Sequence, residues 1–301
     1  MPTQRSEFGS KSTADEVMAG VDLTGRVVVV TGGNTGIGFE AARAFAAGGA
    51  TVELACRDAT RGKQAAERIR SAHRDAVVGV GELDLGSLAS VRAYCESFVH
   101  VQCDILLCNA GLVVNRYEQT EDGFERTLGV SHLGHFALFC GLLERMLVPE
   151  RSRLVVVSSE SHRTPKTLDF ENFPLPAAKF GMIKAYGQAK LCNALFASEV
   201  ARRYADQGIT AVSLHPGSLI PTEISRGSRL SRILMALASP LTKSIAQGAA
   251  TSVYCATAPE VEAQSGQYFS DCVPKTASRE AGDPKVAERL WTATADLIGA
   301  A

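Results

Sequence analysis

No apolar run of about 18 residues occurs in this chain, so a membrane-spanning helix is not expected. No cysteine pair shows C-x-x-C spacing, and none stands beside a histidine at zinc-finger spacing. The eight cysteines fall singly, several inside apolar runs where the thiol behaves as a small hydrophobe. That excludes a disulfide framework and a structural metal site from the first choices and points to a reducing, cytoplasmic setting. Charge of one sign is not in excess. The net charge is −1 and the basic residues are scattered, which leaves no bulk electrostatic case for nucleic acid. The first residues, MPTQRSEFGSKSTADE, lack the apolar centre of a signal peptide, so residues 1–20 are expected to form a flexible tail. No nucleophile elbow occurs, which argues against a serine hydrolase.

What is present is an alternation of β-branched runs with longer helical stretches over 301 residues, 46 % apolar. RVVVVTG (26–32) reads as a strand buried on both faces, and IGFEAARAFAAGG (37–49) as a helix closed by glycine. Further strands are predicted at 50–57, 76–85, 103–111, 152–159, 209–217 and 266–270. Helices are predicted at 58–73, 124–147 and 183–207. This order means right-handed βαβ units: an α/β, single-domain Rossmann fold, with a doubly wound parallel sheet flanked by helices, over residues 21–301. Segments 160–181 and 218–245 fit the alternation poorly, as functional loops do.

TGGNTGIG (31–38) places Gly32, Gly36 and Gly38 between the first strand and its helix. Glycine allows backbone N–H groups to approach a pyrophosphate at a helix N-terminus, so Gly32, Asn34, Thr35, Gly36, Ile37 and Gly38 are candidate dinucleotide-binding residues. The second strand ends in ACRD. Arg57 suits a 2′-phosphate, whereas Asp58 stands where a helix N-cap belongs; NADP(H) is therefore favoured over NAD(H). Asp84, with Leu85, and Asn109, with Ala110 and Gly111, end the third and fourth strands, where such sheets bind ligands.

YGQAK (186–190) sets Tyr186 and Lys190 one helical turn apart. A phenol with pKa about 10 is a poor proton exchanger at neutral pH, and a nearby ammonium lowers that value. Ser159, at the end of the fifth strand, is expected to open into the same crevice. The set reads as an acid/base for a carbonyl being reduced or an alcohol being oxidised.

With TGGNTGIG, NAG, Ser159, YGQAK and HPG (215–217) in hand, the sequence resembles the short-chain dehydrogenase/reductase family over residues 22–300. HLGHF, VVVSSESHRT and AKLCNALF narrow the resemblance to its retinol-dehydrogenase-like branch, which includes oxidoreductases carrying WW domains. The paired tryptophans of a WW domain are missing here; Trp291 is the only tryptophan. The resemblance implies roles. Tyr186 is the acid/base, Lys190 lowers its pKa and holds the ribose, and Ser159 orients the substrate oxygen. Asp84 contacts adenine, Asn109 supports the ribose region, Pro216 and Gly217 flank the nicotinamide, and Thr222 reaches its carboxamide. Ser131 stands where the family carries an asparagine that holds a relay water, so the expected enzyme is active but impaired. The expected substrate is a small apolar alcohol, aldehyde or ketone of retinoid, steroid or lipid type. An alternative of another class is an NADP(H)-binding scaffold or redox sensor with vestigial catalysis.

The segment 218–245 carries Leu230, Ile233, Leu234 and Leu237 at helical spacing, with Arg229, Arg232 and Lys243 around them. A substrate lid, a peripheral membrane contact and a subunit contact all fit that pattern. His132, His135, His162 and His215 lie on different elements, so packing or polar roles are expected in place of a metal site. Pairing into a homodimer or homotetramer through the helices at 124–147 and 183–207 is implied by the resemblance.

Overall fold

The structure is a computed structural model in which residues 7–217 and 243–299 are described. Thr222, Arg229, Leu230, Arg232, Ile233, Leu234 and Leu237 lie outside the described residues, as does most of the 218–245 segment. Its core is one eight-stranded sheet in the order β3-β2-β1-β4-β5-β6-β7-β8. The strands are β1 (Val27–Thr31), β2 (Thr51–Cys56), β3 (Val77–Glu82), β4 (Ile105–Cys108), β5 (Ser152–Val157), β6 (Ile209–His215), β7 (Tyr268–Ser270) and β8 (Val273–Lys275). Strands β1 to β7 run parallel, while β8 turns back antiparallel on β7. The reversal was not expected from the sequence. It is made by Asp271 and Cys272 at φ 56° and 58°, the left-handed pair that a two-residue hairpin requires.

All five residues of β1 are buried, as its valine run requires. Val28 and Val30 pack with one helical layer and Val27 and Val29 with the other, the period-two signature of a strand covered on both faces. Among the described residues the helices are α1 (Ala14–Met18), α2 (Gly36–Ala47), α3 (Ala59–Ala72), α4 (Leu88–Ser97), α5 (Arg126–Leu128), α6 (Gly134–Met146), α7 (Met182–Tyr204), α8 (Ile245–Thr257) and α9 (Pro284–Ile298). Helices α1, α2 and α8 share one core cluster with the sheet, and α4, α6 and α7 the other.

Three outcomes differ from the sequence reading. Residues 8–18 are packed, where a tail was expected. Thr13 and Glu16 form a reciprocal cap on α1, Ala14, Val17 and Met18 are buried, and Phe8 meets Tyr254 edge-on at 6.2 Å. The predicted helix over 124–147 is interrupted by a π-turn, Gly129–Leu133, between α5 and α6. The C-terminal helix α9 was not anticipated. Its Trp291 sits 4.7 Å from Phe136 and 6.4 Å from Phe196, tying α6 to α7 through an aromatic cluster worth about 1.5–3 kcal/mol per buried ring.

Candidate functional site

The strand order reverses between β1 and β4, and a groove of about 430 Å³ opens there at the carboxyl ends of the strands. Of the residues expected to bind a cofactor, Gly32, Asn34, Thr35, Arg57, Asp84, Leu85, Ala110 and Gly111 line it. Gly36 opens α2 at φ 57°, and Thr35 makes no side-chain cap to that helix. By contrast, α3 is capped by Asp58 and α4 by Ser87. The uncapped first turn of α2 leaves backbone donors for an anion, which is what a pyrophosphate needs. Gly38 has a separate reason to be glycine: an added Cβ would stand 2.4 Å from Asn109 Nδ2 and 2.5 Å from the Gly32 carbonyl oxygen. The fit to a dinucleotide therefore rests on backbone geometry that these glycines alone allow.

Asp58 accepts from the Arg61 amide at 3.0 Å, so its carboxylate serves the helix, as expected. Arg61 itself lines the groove beside Arg57. Sequence reasoning missed it; its placement four residues after Arg57, in the first turn of α3, was the available signal. Leu112, Val113 and Val130 were also missed, because nothing local marks which apolar residues face a groove. Asn109 has structural bonds of its own. Its amide donates to the Thr31 carbonyl at 2.9 Å, and the Thr31 hydroxyl accepts from the Asn109 and Ala110 amides at 2.9 and 3.0 Å. It braces the glycine turn. His135 completes that brace, with Nε2 2.9 Å from Thr31 Oγ1 and Nδ1 3.0 Å from the Ser131 carbonyl. Burial holds His132 near 3 and His135 near 4, so both rings are neutral.

Ser159 leaves the end of β5, and its hydroxyl faces the Tyr186 phenol from α7. Lys190, one turn on, is buried and donates to the Val157 carbonyl at 2.9 Å, with Nζ 5.6 Å from the Tyr186 ring centre. The electrostatics run differently from the sequence argument. Burial pushes the Tyr186 phenol up, and the Ser159 hydroxyl only partly offsets this. Burial also pulls the Lys190 ammonium down to about 8. Desolvation outweighs the pairing because both groups lie in a largely apolar wall and the ammonium is turned to a carbonyl.

Gly111 joins groove and cleft. A Cβ there would lie 3.5 Å from Lys190 Nζ and 3.6 Å from Ser131 Oγ, so both polar atoms face the floor of the groove. Ser131 sits in the π-turn, fully buried, and its hydroxyl has no partner among the described residues. Pro216 and Gly217 follow β6, and the Lys243 side chain lies against Gly217. Lys243 is ion-paired with Asp271, and the rest of the segment read as a lid lies outside the described residues.

Comparison with known proteins agrees with this geometry. The family profile described as short chain dehydrogenase matches residues 26–232. The WW domain-containing oxidoreductase of Danio rerio is 43 % identical over 99 % of this chain and 74 % of its own length. Retinol dehydrogenase 12 of Mus musculus is 43 % identical over 93 % of this chain and 88 % of its own. A crystal structure of an uncharacterized protein from Mycobacterium Paratuberculosis, 32 % identical, superposes with a TM-score of 0.75 over 94 % of this chain and 97 % of that one. A Beutenbergia cavernae structure with bound NADP shares the fold at a TM-score of 0.66 and 21 % identity, over 82 % of this chain and 95 % of that one. The chain is an oxidoreductase belonging to the short-chain dehydrogenase/reductase family.

Proposed function

We propose that this enzyme transfers a hydride between NADP(H) and a small apolar alcohol, aldehyde or ketone, with Tyr186 as acid/base. The observation that carries the reading is the position of Gly111: it lines the nucleotide groove, and Lys190 faces it from the same side chain set that holds Tyr186 and Ser159. The cofactor supplies or accepts the hydride. Ser159 holds the substrate oxygen, and Tyr186 gives it a proton in reduction or removes one in oxidation. Lys190 has two donors besides the one on Val157, which suits it to a ribose hydroxyl. Ser131 Oγ faces the same Gly111 floor as Lys190 Nζ, which suits it to hold a water there. A scan of apolar carbonyl compounds with NADPH, followed by the cofactor's absorbance, tests the reading; turnover that persists unchanged in Tyr186→Phe defeats it.

The preference for NADP(H) is supported by two arginines at one end of the groove and by the engagement of Asp58 with α3. Two charge-assisted contacts to a 2′-phosphate are each worth about 1.5–3 kcal/mol. Arg57→Ala should raise the Kd for NADPH about tenfold or more and leave that for NADH nearly unchanged, as isothermal titration reads. Equal binding of the two cofactors by the wild type ends the preference.

The unpartnered Ser131 hydroxyl favours one second reading, a cofactor-bound scaffold with residual catalysis. Carbonyl turnover with NADPH that Tyr186→Phe abolishes separates the two, and Ser131→Asn tests the relay. If the shorter side chain limits a water relay, the variant should turn over several-fold faster at equal KM for NADPH; an unchanged kcat on a confirmed substrate removes the relay from consideration.

The face of α7 is largely taken up within one chain. From Ala185 to Ala201 that helix has no exposed residue within one chain, because β6, α9 and the 160–163 turn already cover it. Among the described residues, no helix is long and apolar enough to cross a membrane.

A further inference from the structure

Ser159 begins a 3-10 turn, Glu160–Arg163, whose next ring is His162. The imidazole is fully buried and bridges two backbone groups. Its Nδ1 lies 2.7 Å from the Ser159 carbonyl oxygen, and its Nε2 lies 3.0 Å from the Ser278 amide nitrogen. A backbone N–H can only donate, so Nε2 must carry the lone pair. The proton is therefore on Nδ1 and is donated to Ser159. The geometry admits one tautomer of one charge state.

The same turn is stitched to the C-terminal part of the chain at two further points. The Tyr268 hydroxyl donates to Glu160 at 2.9 Å, and Arg163 donates to the Thr276 carbonyl at 2.6 Å. The Tyr268 ring supports the imidazole at 4.6 Å between centres. On its other side the turn presses on α7 beside the catalytic tyrosine: a Cβ at Gly187 would lie 3.0 Å from the Ser161 carbonyl oxygen. The turn that aims Ser159 is thus clamped between α7 and the 268–278 segment, and His162 is the clamp's buried link.

We propose that His162 is a positioning residue that keeps Ser159 in register with Tyr186 by bridging the Ser159 carbonyl to the Ser278 amide as a neutral imidazole, and that acid loosens the site by protonating this ring. The proposal rests on the functional reading above. A proton added at Nε2 would face the Ser278 N–H, donor against donor, and the bridge would break. The charged and titratable groups around the ring are Glu160 and Arg163 on its own turn, Tyr268 from β7 and His215 from β6, with Tyr186 of α7 acting on Tyr268. Burial, aided by Arg163, holds the imidazole below its ordinary value, whereas the Ser159 carbonyl and Glu160 act in the opposite direction.

Two variants test this. In His162→Gln the amide keeps one donor and one acceptor; in His162→Leu both are lost. Expected is a fall in kcat of about 10–100-fold for the leucine variant with KM for NADPH unchanged, and substantial rescue by glutamine. The wild type should lose kcat reversibly in acid with one proton taken up, and the glutamine variant should lack that limb. In a Ser159→Ala background, His162→Leu should add nothing further. Nitrogen-15 NMR of the histidine rings reads the bridge with no substrate present, and amide exchange at Ser278 should accelerate in the leucine variant. An Nε2-protonated or cationic ring at neutral pH overturns the proposal, as does full kcat in His162→Leu or an acid limb that survives in His162→Gln. An Nδ1-protonated ring with a protected Ser278 amide, in a chain that reduces no carbonyl, leaves the bridge standing and defeats the functional reading instead.

Discussion

Replacing Tyr186 with Phe should lower kcat about 10²–10⁴-fold, the range carried by one general acid–base group, while the Kd for NADPH stays within about twofold. The phenol oxygen meets the Ser159 hydroxyl, and Tyr186 is not among the residues lining the nucleotide groove. Steady-state kinetics and cofactor titration measured on the same preparations decide the matter. Burial raises the Tyr186 pKa, so the neutral phenol is the form present near pH 7. That form donates. Carbonyl reduction should accordingly be nearly flat across neutral pH in the wild type, and alcohol oxidation, which needs the phenolate, should climb as pH rises. Opposite slopes would mean that another group carries the proton.

Lys190→Met should abolish turnover and make the protein more stable at neutral pH. The ammonium is buried and its pKa falls from 10.5 to about 8. Each pKa unit is about 1.4 kcal/mol, so holding this charge in the folded state costs about 3 kcal/mol near pH 7. Between pH 8 and 10.5 the unfolded chain binds a proton that the folded chain has lost. Wild-type stability from this group therefore rises with pH across that window and is fully recovered above it. Methionine matches the length and carries no charge, although it forfeits the bond to the Val157 carbonyl, worth about 1.5–3 kcal/mol for a charged donor. The net gain at pH 7 should be about 1 kcal/mol, and above pH 10.5 the variant should be the less stable of the two. Urea unfolding at pH 7 and at pH 10.5 gives the crossing; a variant less stable than wild type at both values would show that the lysine is held at no cost. A costly buried charge retained at a functional position is the usual trade of stability for function, and the crossing would place Lys190 in that class.

Much of this site was legible in the chain because its chemistry is local. The valine run of β1, the glycines at 32, 36 and 38, and the one-turn spacing of Tyr186 and Lys190 each state a geometry within a few residues. A strand buried on both faces has to be apolar throughout, and a close backbone approach has to be glycine, so these features survive without knowledge of the fold. Asp58 shows the same economy: a helix N-cap was expected, and a helix N-cap is found.

Groups whose environment is set by distant segments were not legible. Asn109 reads as a cofactor contact, and only the fold shows that its amide also braces the Thr31 carbonyl. The tail at 8–18 reads as polar until α8 offers Tyr254 to Phe8. The sequence by itself determined the alternation, the glycine turn, and the one-turn spacing of Tyr186 and Lys190, since backbone sterics and helical spacing are properties of neighbours along the chain. Only the tertiary structure decided which way the pKa values move and that a buried histidine ties Ser159 to Ser278, because desolvation and hydrogen-bond partnership depend on what 118 intervening residues bring back into contact.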